Sequence, residues 1–114
     1  AGTGPEDIDF VEIPDNSSWH YLSYLEKMGF YEAGGADLAL MAGETQLGGK
    51  FPVCPSGGVS SFGEAVGAQG LCQVCEVVTQ LRGKAGKRQV ENARIGMSMV
   101  YGVHGQSAAV ILEK

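Results

Sequence analysis

The sequence is short of cations, short of cysteine and without a long apolar run, and each shortage removes a class of function. Only 8 Lys and Arg stand against 13 Asp and Glu, for a formal net charge of −5 at pH 7. So acidic a chain has little to offer a phosphate backbone, and nucleic acid is not an expected partner. Three cysteines, Cys54, Cys72 and Cys75, are odd in number and do not suit a disulfide framework. They read instead as reduced thiols of a cytoplasmic protein. No apolar stretch approaches the roughly 18 residues of a membrane span, and the acidic start AGTGPEDIDF does not resemble a signal peptide. A soluble protein without a membrane span is expected.

What the chain has in excess is glycine, 18 in 114 residues, about twice ordinary usage. The glycines interleave with apolar residues rather than forming Gly-Ser linkers, which points to tight turns and close backbone approach. With 44% hydrophobic residues and 18% charged, the chain can bury a modest core, and no repeat or internal boundary divides it. Residues 1–114 read as one domain.

The pattern along the chain predicts the order β-α-loop-α-β-β. GPEDIDFVEI reads as a turn or helix end followed by a strand, stopped by Pro14. In DNSSWHYLSYLEKMGF, residues 15–18 offer an N-cap, Trp19, Leu22, Leu25 and Met28 recur at every third position, and Gly29 ends the helix. Residues 31–55 read as a covering loop with a short helix at ADLALMAG. A helix from about Ala65 to Leu81 is apolar nearly all round and should be buried, closed by Arg82, Gly83 and Lys84. RGKAGKRQVENA is a polar connection, and the last two strands meet at the GVHG turn.

Cys72 and Cys75 have the spacing of a metal knuckle, but they lie inside the predicted buried helix with no second pair. Core cysteines packed as small hydrophobes are the plainer reading, and no metal is assigned. The stretch SGGVSSFGEAVGAQG lacks the Gly-Lys-Ser/Thr ending of a P-loop and the GxGxxG of a dinucleotide fold. It delivers one carboxylate, Glu64, to a predicted helix N-terminus. There it either stabilises the helix end or, where water is excluded, serves as a general acid or base. Tyr101 and His104 lie at the turn between the last two strands, where a ring is either solvated or turned toward a site. His20 reads as a surface or core-edge residue.

The segments GPEDIDFVEI, GETQLGGKFPVCPSGG, GEAVGAQGLCQVCEVVTQLRGKAGKRQVENARIG and the glycine-containing final hairpin together resemble the C-terminal part of a thiolase-family protein. The similarity runs through essentially the whole chain and is greatest to the lipid-transfer-protein, or sterol-carrier-type, branch. It implies an α/β fold, a thiolase-like C-terminal half-domain with a mixed five-stranded sheet and a buried helix, incomplete in this chain. It also implies a CoA thioester substrate with no covalently bound cofactor, a dimeric enzyme, and a larger protein whose N-terminal half carries the nucleophilic Cys.

In thiolases the segment matching Gly63-Glu64-Ala65 is Gly-His-Pro, whose His helps bind the thioester oxygen. Here Glu64 replaces that His. The family's Asn or His after the first strand falls at Pro14, and its acid/base Cys falls at Val100. Some lipid-transfer-type relatives carry Glu and a Tyr-Gly pair at these places, and some thiolase-like proteins are aldolases working beside a small OB-fold, zinc-ribbon subunit. The resemblance thus implies Glu64, Tyr101 and His104 as catalytic groups, with Gly63 and Gly102 letting substrate approach. The expected function is a thiolase-like acyltransferase or C–C lyase, and the alternative is a non-catalytic acyl-CoA or lipid-binding module, or a structural fragment inactive alone.

Overall fold

The computed structural model describes residues 2–102 and 105–114, and His104 lies outside them. A 3-10 turn, Pro5–Asp7, leads into β1, Phe10–Glu12. Then come α1, Ser18–Lys27, and the short helices α2, Ala36–Met41, and α3, Gly58–Phe62. A second 3-10 turn, Val66–Ala68, precedes α4, Gln69–Leu81, and the hairpin of β2, Ile95–Tyr101, and β3, Ser107–Glu113, follows. β1 pairs with β2 in parallel, β2 with β3 antiparallel, in the order β1-β2-β3. The sheet is mixed as expected, but it has three strands rather than five; the nearest further element is an isolated parallel bridge from Val11 to Val53.

Alternation along the strands divides the core in two, because successive side chains of a strand point to opposite faces. Val11, Met97 and Met99 face one way and pack with Leu25 of α1, Ala36 of α2 and Val53. Phe10 faces the other way and packs with Val77 and Leu81 of α4 and with Val90 and Ala93. The chain is therefore layered, with α1 and α2 on one face of the sheet and α4 on the other. Gly96 makes the second face possible, since a Cβ there would collide with the Phe10 ring and with Val77.

Ser17 caps α1, its Oγ accepting from the His20 N–H at 3.5 Å. Trp19 does not join the buried stripe and stays 67% exposed. At about 100° per residue, a three-residue spacing drifts around the helix by about 60° per step, so Trp19 and Met28 end on opposite sides. The residues of α1 and its C-cap that pack are Tyr21, Leu22, Tyr24, Leu25 and Met28, so Leu22, Leu25 and Met28 of the predicted stripe are kept and Trp19 is not.

The long helix also differs from its sequence pattern. α4 starts at Gln69 rather than near Ala65, and its sheet-facing residues are Gln69, Gln73, Glu76, Val77, Gln80 and Leu81. Leu71, Cys72 and Cys75 are exposed, so the two cysteines are not core residues of this chain, whereas Cys54 is buried. The connection after α4 buries Ala85, Val90 and Ala93 and is stapled to the helix through Gln80. The Gln80 Nε2 donates to the Arg88 carbonyl and its Oε1 accepts from the Val90 N–H, each at 2.8 Å. Among the described residues no helix is long and apolar enough to cross a membrane.

Candidate functional site

The glycine-rich stretch places its carboxylate by a route that only small residues permit. Gly57 and Gly58 have φ of +98° and +68°, and a Cβ on Gly58 would collide with the Asp15 carboxylate. α3 can therefore lie against the start of α1. Ser60 donates its Oγ–H to the Asp15 carbonyl at 2.7 Å and its N–H to the Asp15 Oδ1 at 3.3 Å. Gly63, at φ +91°, then turns the chain so that Glu64 meets Asn16.

Asn16 joins the two sequence-predicted groups. Its Nδ2 donates to Glu64 Oε1 at 3.2 Å and to the Tyr101 hydroxyl oxygen at 3.0 Å. Both amide hydrogens are thereby used, and the phenol keeps its own proton for another acceptor. Tyr101, the last residue of β2, is held by aromatic neighbours, with ring centroids 6.0 Å from Tyr24 and 6.1 Å from His20. His20 is half-buried and stacks on Tyr24 at 5.6 Å. Burial raises the Tyr24 hydroxyl pKa, and the neighbouring Tyr101 adds to it.

Glu64 and Tyr101 open onto a cavity of about 690 Å³ between the approach to α4 and the β2–β3 end of the sheet. Val66, Gly70, Val100 and Ala108 form much of its wall. Gly70 permits the close fit, since a Cβ there would stand 3.3 Å from Val100 Cγ1. Gly102 borders the cavity and donates its N–H to the Gln106 carbonyl at 2.6 Å, while Gly63 is exposed and not on the wall. Pro14 is fully buried.

Glu64 lies five positions before Gln69, where α4 begins, so its partner is the Asn16 amide rather than the helix N-terminus. Asn16 escaped sequence reasoning because the run 15–18 reads as a choice of N-caps. Only Ser17 does that work, and the signal was the surplus of cap-competent side chains beside it.

Two buried groups near the site have displaced acidities. Glu12 is 2% exposed and accepts from the Ser56 N–H at 3.0 Å and the Ser56 Oγ–H at 2.8 Å. Burial pushes its carboxyl up to about 7 against those two bonds. The Cys54 thiol is raised by burial and by the Glu12 charge, and its S–H donates to the Ile13 carbonyl at 3.2 Å. A thiol so placed is not a nucleophile at neutral pH.

This architecture has known counterparts. The family described as thiolase C-terminal domain-like matches residues 1–114. The chain belongs to the thiolase family. This thiolase C-terminal domain is 48% identical over 106 residues to an acetyl-CoA acetyltransferase of Methanothermobacter thermautotrophicus, covering 93% of this chain and 28% of that protein. It is 40% identical over 111 residues to sterol carrier protein 2 of Rattus norvegicus, covering 97% of the chain and 20% of the relative. In structure it is similar to the Ltp2-ChsH2(DUF35) aldolase, with a TM-score of 0.83 and 27% identity over 98% of this chain and 28% of that one. The domain thus spans about a quarter of the length of the relatives it matches.

Proposed function

We propose that the complete protein acts on a CoA thioester and breaks or forms a carbon–carbon bond at the cavity bearing Glu64 and Tyr101. The observation that carries this reading is the Asn16 bridge, which fixes a carboxylate and a phenol at one amide nitrogen beside a cavity of substrate size. In the cleavage direction Glu64 takes the hydroxyl proton of a β-hydroxyacyl thioester. The Cα–Cβ bond then breaks, the hydroxyl carbon leaves as a carbonyl product, and the thioester remains as an enolate. Tyr101 gives its proton to the enolate carbon, and the Asn16 N–H steadies the phenolate left behind. The proton on Glu64 returns to Tyr101 through solvent. His104, which lies outside the described residues, is proposed as a third polar group on the strength of the family resemblance.

Val100 and Pro14 favour this chemistry over cysteine-dependent acyl transfer, because neither can carry a proton at the positions where thiolases place their acid/base Cys and their Asn or His. The remainder of the proposal lies beyond this chain: an N-terminal half completing the CoA site, a homodimer, and a small OB-fold, zinc-ribbon partner. The aldolase structure that names ChsH2(DUF35) beside Ltp2 supports a second kind of subunit, without describing its fold.

The test is Glu64→Gln in the complete protein. Turnover of β-hydroxyacyl-CoA should fall by about 10²-fold or more, with acyl-CoA affinity kept. A mainly apolar cavity wall also suits an acyl-CoA or lipid-binding module. Tight acyl-CoA binding by the unaltered protein, without turnover of any acyl or hydroxyacyl thioester, would establish that reading instead.

A further inference from the structure

The interface between α4 and the sheet contains polar groups that the proposed reaction does not use. Gln73, 5% exposed, has neither its Nε2 nor its Oε1 bonded among the described residues, and Gln69, 4% exposed, leaves its Nε2 unbonded. Buried amides in folded proteins are seldom left so, because each unmade hydrogen bond costs about 1–3 kcal/mol. Gln69 and Gln73 line one small cell together. Gln69 borders the site cavity and also a cell of about 10 Å³ enclosed with Glu12, Val59, Cys72 and Gln73. That volume admits about one water molecule. Gln73 and Glu12 in turn border a second cavity of about 260 Å³, shared with Ser56, Glu76 and Arg88.

We propose that the strip from Gln69 past Gln73 to Glu12 is a hydrated proton-binding site, in which Glu12 holds one exchangeable proton and waters bound to the two glutamines connect it to solvent. An amide side chain both donates and accepts, so Gln73 can orient a water toward either form of the carboxyl. Ser56 fills one side of Glu12 with two donated bonds. From α4, Glu12 meets Glu76, whose charge is paired with Arg88 at 2.9 Å, and Cys72; Asp15 also lies within electrostatic reach, as does Cys54, which packs in the core of the other face. Arg88 shares that cavity and lies within electrostatic reach of Glu12, but its two bonds go to Glu76, and among the described residues no cation is bonded to Glu12. On release the O–H bond breaks, the proton passes to the bound water and on to bulk, and Glu12 is left as the carboxylate. Its burial-raised pKa puts that exchange near neutrality. The site sits one amide away from the cavity of Glu64 and Tyr101, yet its occupancy is readable without any turnover.

Infrared titration of the complete protein tests this. The carbonyl band of a protonated buried carboxyl should be present at pH 5, vanish with a midpoint near 7 and be missing from Glu12→Gln. Transfer to heavy water should shift the band at once, as a solvent-linked proton requires. Gln73→Leu, which removes the water's partner, should raise the midpoint by about one pH unit or more. Gln73→Met serves equally if the leucine variant does not fold. A Glu12 that titrates in the ordinary carboxylate range, a band that resists exchange, or a midpoint indifferent to both Gln73 variants would overturn the proposal.

Discussion

The two faces of the sheet are packed by opposite chemistry. On the α1 side the buried contacts are aliphatic and aromatic, centred on Leu25, Val11, Ile13 and Met99. On the α4 side Glu12 and Ser98 of the strands meet Gln69, Gln73, Glu76 and Gln80 of the helix, with Phe10, Val77 and Leu81 as the apolar portion. α4 is therefore turned inside out relative to its own domain, since its exposed residues include Leu71 and Cys75. An exposed apolar helix face of this kind is the sort of surface that a further packing layer would cover. The polar inner face holds by specific bonds, chiefly the paired Arg88–Glu76 contacts at 2.9 Å and the Gln80 staple.

The sharpest break of the contrast is on the dry side. Leu25 is 0% exposed, and Leu25→Ala should destabilise the complete protein by about 4 kcal/mol, the transfer loss plus a cavity, as read by urea denaturation. A cost under about 1 kcal/mol would mean that this face is not the close-packed one.

On the polar side, Glu12 makes stability depend on pH in a defined direction. Its folded pKa lies above its ordinary value of 4.5, so the folded state binds more protons between that value and about 7. Stability from this group is complete below the unfolded value and falls as pH rises through the window, by about 3 kcal/mol at the upper limit. Glu12→Gln should flatten that part of the stability profile. Equal slopes in the variant and the parent would remove Glu12 as the cause.

A smaller effect is expected where the polar face meets solvent. Arg88→Met leaves the Glu76 carboxylate, 9% exposed in its side chain, without its bidentate partner. Because Arg88 is itself half-exposed, water can replace part of the contact, and the cost should be about 2 kcal/mol in thermal unfolding. If the loss instead matches Leu25→Ala, the polar face contributes as much as the dry one and the contrast fails.

Several parts of the molecule were legible because their signals are local. Pro14, Ser17 and Gly29 bound β1 and α1 by rules that act within a few residues, and β2 ends at Tyr101 and β3 begins at Ser107, on either side of the glycine-containing break. The element order and the family resemblance, which rest on such short-range features in sequence, follow from the sequence by itself. Which face of α4 turns inward did not, because a helix with apolar residues nearly all round has no single preferred side until its neighbours are in place. Asn16 was equally hidden: its partners are 48 and 85 positions away, and only the docking of α3 on Asp15 and the end of β2 bring Glu64 and Tyr101 to its amide. The tertiary structure decided those contacts because they depend on long-range packing, where the free energy of a buried bond is set by what surrounds it rather than by the residues beside it in the chain.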